Sequence, residues 1–560
     1  MTESKSLKAR VWPLESGIDS REMNAVSERF GPPWIGVCIS GGGSRSLSAA
    51  MGQLRGLQHL GLMDKVSWLS CVSGGCWAST LYTYLPDNIS DETFLGGVAD
   101  PSSLHWDGKA GDPANLDYMS PNALGSVPQR LGWLELLEKA VEFHEQGVPE
   151  NRMWAHAIGA LVLSHFGLGN HPSKYFSWTS SWLQREILDL NEGLSVDDFV
   201  LTRQGRPYLV TNATLFYPPD ATHGPFRPDP RANPYLIEST PLGVGIAPTF
   251  PFAGSPDPGV PGSRDIGGGW VDSFAFGGPA PEKVEGDIVT VPTPATRYRL
   301  SDAAGNSSSA FVATILDKFG SQYKWLEDLV PVFDYWPVND PADKHNSAYP
   351  YFFGDGGNFE DTGIAGLIRR KIPRIVSFVN GNTPLGYDDA VQQVSCDSQI
   401  AVLFGYAPKE TGKPWERFGP SSTSPHRFAQ VFEADRFMPL LDDLWKAHTA
   451  GASALSVQDA LPVVKNARLG IEGGYTTDVL FVVNTPVPAW NEALPEAVKL
   501  LMHEPGYTEF PNYDTLEQLH LSERQVNLLA HLSCWNVMGE VKVGDRPANS
   551  AVFTDFFGMV

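Results

Sequence analysis

The chain has 560 residues and a formal net charge of −23, from 64 acidic and 41 basic side chains, the wrong sign for a nucleic-acid binder or for nonspecific attraction to anionic bilayers. Hydrophobic residues at 42% and charged residues at 19% describe an ordinary globular protein, and 55 glycines with 45 prolines predict extensive loops. The length exceeds what one core normally holds, so one large elaborated domain or two intimate ones are expected.

The N-terminal MTESKSLKAR has no apolar core and no cleavage site, and a cytoplasmic protein, peripheral at membranes if it visits them, is expected. The first strong signal is Ile35, Val37 and Ile39, a short apolar run that stops at Ser40-Gly41-Gly42-Gly43-Ser44-Arg45. This is how a buried strand feeds a loop whose backbone must approach something closely. Leu47, Met51, Leu54, Leu57 and Leu60 then recur at steps of three and four, ahead of Gly61, which predicts a helix and its stop. A second strand over Val66 to Val72 delivers Ser73 into Gly74-Gly75, followed by an apolar helical stretch from Cys76 to Leu85.

A serine on a sharp strand-to-helix turn has its hydroxyl pushed above the sheet, and small neighbours relieve the crowding. Cys71 stands where the usual Gly-x-Ser-x-Gly pattern has its first glycine, so the match is incomplete. The amides of Gly42 and Gly43 could serve a developing oxyanion. The alternatives are a phosphate loop, which lacks the Gly-Lys-Ser/Thr ending, a dinucleotide loop, which lacks a third glycine at Ser46, and an ordinary N-cap role for Ser73.

Residues 86–127 read as loop. Leu131 to Glu145 and Met153 to Leu168 read as helices, the second about sixteen residues long and short of the ~20 a membrane span needs. Its apolar face belongs either to a lid that meets lipid or to the core. Tyr217 to Thr296 is proline- and glycine-rich and reads as loops over a scaffold; it includes Asp265 and Asp272 around three glycines. Asp355, in Gly354-Asp355-Gly356-Gly357, is either a turn residue or an acidic partner for the serine, competing with Asp265 and Asp272. A helix over Thr362 to Arg370 and a strand over Arg374 to Val379 follow it. Ile400 to Tyr406 and Val479 to Val483 read as strands, Pro495 to Glu504 as a helix, and Ser522 with Gln525 as the capping box of a helix through Leu532. Five cysteines (Cys38, Cys71, Cys76, Cys396, Cys534) are sparse and odd in number, so neither a disulfide framework nor a zinc cluster is expected. His426, His503, His520 and His531 keep a Ser-His-Asp triad open in principle.

Together, Gly41-Gly42-Gly43-x-Arg45, Ser73 and Asp355, with the stretches PYLIESTPLGVG (234–245), SDAAGNSSSAF (301–311) and LSERQVNLLAHLSCW (521–535), resemble the catalytic domain of the group IV cytosolic phospholipase A2 and phospholipase B family, more distantly patatin. The resemblance runs in islands from about Trp34 to Val537. It implies an α/β three-layer sandwich around a mixed, mainly parallel sheet, with a cap or lid insertion at about 100–205, a catalytic domain over 31–560 and an N-terminal extension over 1–30. It further implies a Ser73-Asp355 dyad, an oxyanion hole at Gly42 and Gly43, phosphate binding by Arg45 and by Arg370 in the place of a second arginine, a phospholipid substrate, and neither cofactor nor metal. With about thirty residues ahead of the first strand, the calcium-binding C2 module of some family members is not expected. The alternatives to a phospholipase are a patatin-like hydrolase or transacylase of neutral lipids and small esters, and a non-enzymatic lipid-binding scaffold.

Overall fold

The computed structural model describes residues 6–14, 20–106, 109–169, 174–217, 233–251, 265–338, 341 and 347–559. Among the described residues the main sheet has 14 strands: β1 (Ser6–Trp12), β2 (Ile35–Ile39), β3 (Val66–Val72), β4 (Tyr208–Tyr217), β5 (Asn233–Ser239), β6 (Gly243–Pro251), β7 (Asp265–Asp272), β8 (Lys283–Glu285), β9 (Ile288–Pro292), β10 (Val332–Tyr335), β11 (Tyr349–Asp355), β12 (Arg374–Val379), β13 (Leu455–Pro462) and β14 (Thr476–Val483). Their order is β8-β9-β1-β7-β6-β5-β4-β3-β2-β12-β14-β13, with β11 also on β4 and β10 on β11. The expected mixed sheet is present, its parallel part being the centre: β4, β3, β2, β12 and β14 run parallel. The wings are antiparallel.

The helices that concern the site are α1 (Arg21–Ser27), α2 (Gly43–His59), α3 (Gly74–Thr83), α4 (Asp91–Leu95), α5 (Trp133–Glu145), α6 (Glu150–Ile158), α7 (Leu300–Ser307), α8 (Ala310–Phe319), α9 (Ile364–Arg369), α10 (Phe437–Thr449) and α11 (Glu523–Met538). Central strands covered on both faces must be apolar on both faces, and this sequence obliges. Ile35, Val37 and Ile39 of β2 join one core with Leu47, Leu54 and Leu57 of α2, whereas Cys38 joins the other with Ile368 of α9 and Leu440 of α10. Val376 and Phe378 of β12 fall in the first core, Ile375 and Val379 in the second. The period-two alternation of a strand thus sorts its residues into two cores, one on each side of the sheet, which is the three-layer sandwich.

The capping box at Ser522 and Gln525 forms as expected and opens α11. This helix lies against α2 so closely that a Cβ on Gly52 would stand 1.9 Å from the Ala530 carbonyl oxygen. The Met153 to Leu168 stretch is α6 continued through a π turn (Gly159–Leu163) and a 3-10 turn (Ser164–Phe166). Trp154, Ile158, Val162 and Leu163 are buried in the first core, so its apolar face is internal.

Three expectations need correcting. Ile400 to Tyr406 is no strand: a short helix over Ser398–Ala401 and a 3-10 turn over Val402–Phe404 occupy it, and the Asp397 carboxylate accepts the Gln399 N–H at the helix start. A short, fully buried apolar run carries no periodicity that separates helix from strand. Within the proline- and glycine-rich 217–296, the described residues include β5 to β9, so much of it is sheet; 218–232 and 252–264 lie outside the described residues. The stretch expected as an extension ahead of the domain supplies β1, which pairs with β9 and β7. No described helix is long and apolar enough to cross a membrane.

Candidate active site

One edge of β4 brings two distant segments together. Trp68 to Val72 of β3 pair in parallel with Tyr208 to Asn212, and Phe352 to Asp355 of β11 pair antiparallel with Phe216 back to Ala213. β3 and β11 therefore lie end to end on the same edge, with Val72 opposite Asn212 and Asp355 opposite Ala213. Adjacent strand positions are only about 3.3 Å apart along the axis, so the residue after Val72 must meet the one that ends β11. That residue is Ser73.

The turn at Ser73 has φ 52° and ψ −124°, left-handed backbone for a residue with a side chain, a conformation that persists only when the surroundings enforce it. Two contacts do so. The Ser73 N–H donates to Ser307 Oγ of α7 at 3.0 Å, and Ser307 Oγ donates to the Asn212 carbonyl at 2.5 Å. Ser73 makes no capping bond to α3. Its Oγ instead donates to Asp355 Oδ2 at 3.0 Å.

Asp355 is 3% exposed. Its Oδ1 accepts the Gly357 N–H at 2.8 Å and its Oδ2 the Ala310 N–H at 3.3 Å. Burial pushes its pKa up to about 6, opposed by the Gly357 and Ala310 amides and the Ser73 hydroxyl. Beside the pair, Gly42 (φ 134°) and Gly43 (φ 53°) turn β2 into α2, which begins at Gly43. The first amides of a helix have no acceptor within it, and both residues line the same cavity as Ser73 and Asp355. A Cβ on Gly74 would lie 2.1 Å from the Gly43 carbonyl oxygen, so the two glycine turns touch and only hydrogen fits between them.

The chain matches human cytosolic phospholipase A2 zeta at 44% identity over 103 residues, 18% of this chain and 11% of that protein. It matches the mouse zeta protein at 53% over 91 residues, 16% and 10% of the two. Over these segments the chain is similar to proteins named cytosolic phospholipase A2. The matched segment covers about a tenth of those relatives' length, and no family model matches the chain. Among solved structures, human GIVD cytosolic phospholipase A2 aligns over 96% of this chain and 65% of that one, at 15% identity and a TM-score of 0.46.

The cavity that holds Ser73 and Asp355, about 320 Å³, also takes in Arg45, Asp361, Asp397, His426 and Leu516. Arg45 is buried, its Nε donating to the Asn380 carbonyl at 2.8 Å and its Nη1 to the Tyr513 carbonyl. Burial lowers its pKa, against the raising influence of Asp397, Asp361 and Asp514. The carboxyl of Asp361 is wedged between the turns: a Cβ on Gly41 or on Gly357 would stand 2.1 Å or 2.7 Å from its Oδ1. Burial, with Asp355, Asp397 and Glu360 nearby, holds Asp361 well above the carboxylate range. His426 Nδ1 lies 3.0 Å from the Phe359 carbonyl, an acceptor, so that nitrogen carries the proton. Burial lowers its pKa.

Arg370 does not reach the cavity. It lies across the sheet in the second core, where its guanidinium forks onto Glu22 (2.8 and 2.9 Å) and Glu238 (2.9 and 3.2 Å) beside Trp68 and Trp270. The last turn of α9 faces that core, and two buried carboxylates satisfy the charge there, which removes it from any role toward a ligand at Ser73. Asp272, the competing acid, accepts the Arg10 N–H at 2.7 Å and pairs with Arg21 at 3.1 Å, away from Ser73. The side chain of Asp265 lies outside the described residues.

Contrary to the expectation from cysteine count, Cys71 and Cys76 form a disulfide across the Ser73 turn, Cα to Cα 4.9 Å. The tight elbow folds the end of β3 back against the first turn of α3, bringing together residues that no Cys-x-x-Cys spacing marks. Cys38, Cys396 and Cys534 are free and buried. Sequence reasoning also missed Ser307, Ala310 and Asp361. Ser307 and Ala310 lie in the 301–311 stretch that carried the resemblance, without a role attached, because backbone donors and their supports leave no side-chain signature.

Proposed function

We propose that the protein is a lipid acyl-ester hydrolase of phospholipase A2 or lysophospholipase type, acting through Ser73 and Asp355. The observation that carries this is the 3.0 Å contact from Ser73 Oγ to Asp355 Oδ2 inside a cavity shared with Gly42, Gly43 and Arg45.

Asp355 takes the Ser73 hydroxyl proton as Oγ attacks the ester carbonyl carbon, and the carbonyl π pair moves onto oxygen. The oxyanion is met by the Gly42 and Gly43 amides at the positive end of α2. When the tetrahedral intermediate collapses, the alkoxide of the lysolipid leaves with the proton from Asp355, and the acyl group stays on Ser73. Water then attacks the acyl-enzyme, giving its proton to Asp355; fatty acid departs and Ser73 Oγ recovers the proton. A carboxyl with pKa near 6 suits both directions, being mostly ionised at neutral pH yet able to hold a proton briefly. Arg45 meets the substrate phosphate. Partial relatives named cytosolic phospholipase A2 support the phospholipid reading.

The test is fatty-acid release from a phospholipid with differently labelled chains at its two positions, and from the lysolipid, for the native protein and Ser73→Ala, with and without chelator. Release that vanishes in the variant and ignores chelator is expected. Equal release from Ser73→Ala would remove Ser73 as nucleophile, and release abolished by chelator would overturn the metal-free mechanism.

A further inference from the structure

Among the described residues, each buried arginine other than Arg55 either has an acid bonded to it or, in the case of Arg45, feels the charges of Asp397, Asp361 and Asp514 close by. Arg370 has Glu22 and Glu238, Arg369 has Glu238, Arg299 has Asp302 and Arg206 has Asp91. Arg55, three turns along α2 from Arg45, breaks the pattern. It is 4% exposed. Its Nε donates to the Leu95 carbonyl at the end of α4 at 2.7 Å, while its Nη1 is buried with no hydrogen-bond partner. Among the described residues no carboxylate pairs with it; the titratable groups it acts with are the Cys534 thiol and the His531 ring.

A desolvated guanidinium with an unsatisfied N–H is costly unless something anionic completes it. Room for that exists. Arg55 lines a cavity of about 310 Å³ between α2, α4, α11 and the loop around Pro113, shared with Thr93, Gly97, Ser120, Asn527 and His531. Burial and the Arg55 charge hold His531 neutral, so the ring brings no second charge. Glu92 and Asp112 also line the cavity, without pairing with Arg55; Asp112 faces His105 at 3.5 Å.

We infer that this cavity is a binding site for a phosphate group, held by the Arg55 fork with hydroxyl donors from Thr93 and Ser120, and separate from the Ser73 cavity. A guanidinium offers two parallel donors that match phosphate oxygens. Ser73 lies beside the start of α2 and Arg55 twelve residues beyond Gly43, about 18 Å along the helix at 1.5 Å per residue. The volume admits phosphate carrying a small organic group, whose cationic end Glu92 and Asp112 would face. The inference does not depend on the proposed catalytic reading.

Met51 and Met119 line this cavity and not the Ser73 cavity, so their methyl groups report on it alone. In the full chain with ¹³C-methyl-labelled methionine, inorganic phosphate and, separately, glycerophosphocholine are titrated at constant ionic strength. The expected result is a saturable shift of the Met51 and Met119 methyl signals with at least one of the two probes, unchanged in Arg45→Gln. Affinity should fall roughly tenfold or more in Arg55→Gln, the cost of one charge-assisted hydrogen bond. A response to inorganic phosphate identifies a free phosphate site, and a response to glycerophosphocholine alone a headgroup site. Absence of a saturable shift for both probes in the native protein overturns the inference whatever the variants do, as does an undiminished shift in folded Arg55→Gln.

Discussion

Asp355→Asn separates activity from stability. The carboxyl has its pKa raised from 3.8 to about 6 by burial, so the folded protein holds this proton more tightly than the unfolded chain does. Stability from the protonated form is then fully present below pH 3.8 and is lost as pH rises through 6, because above that the fold must carry a buried carboxylate. With about 1.36 kcal/mol for each tenfold change in proton affinity, a rise from 3.8 to about 6 makes the native protein forfeit about 3 kcal/mol at pH 8 and about half of that at pH 5. Asparagine is nearly isosteric, and its side-chain oxygen can still accept the Gly357 N–H. Relative to native, Asp355→Asn should therefore gain about 1–2 kcal/mol between pH 5 and pH 8 by chemical denaturation, while fatty-acid release disappears. Native kcat/KM should rise with pH through about 6 and then level off. A stability difference that does not change with pH would refute the buried-carboxylate argument, and full turnover by the variant would refute the dyad.

His426→Gln should retain most of the activity, since the structure gives Ser73 Oγ to Asp355 and His426 to the Phe359 carbonyl; a loss as deep as that of Ser73→Ala would restore the triad. For Arg45→Lys, kcat/KM on a phospholipid should fall about tenfold or more while a phosphate-free ester is little affected, and equal losses on both would assign Arg45 to structure alone and favour neutral esters as substrates. Arg370→Met leaves buried Glu22 without its cation while Glu238 keeps Arg369, so stability should fall by about 3–5 kcal/mol, with KM unchanged for the protein that remains folded. Gly74→Ala would set its methyl against the Gly43 carbonyl, and a displacement of about 1 Å between the two turns should cost on the order of a hundredfold in kcat; an undiminished kcat would show that the turns need not touch.

Much of the site is legible in the sequence. A strand that ends in glycines, a helix stripe, and a second strand ending in serine and glycine are local patterns, and β2, α2, β3 and α3 formed within a few residues of where the periodicity put them. The α2 stripe and the α11 capping box belong to the same class, because each depends on residues within a few positions of one another. Ile400 to Tyr406 was misread since a run buried on every side has no period to read. The β5 to β7 wing was misread since its glycines and prolines look like loop until neighbouring strands satisfy their backbone.

What the chain could determine by itself was therefore the set of chemically able groups: a serine at an elbow, paired glycine turns, an aspartate among glycines, an arginine after the first turn. Which of them meet was decided by β4. Its single edge accepts β3 as far as Asn212 and β11 from Ala213 onward, so Ser73 and Asp355, 282 residues apart in sequence, come within a hydrogen bond. The same sheet separates Arg45 from Arg370, because side chains on opposite faces enter different cores, and one of those cores already held two glutamates for Arg370. Pairing across such distances is set by register and facing, which no window of sequence contains.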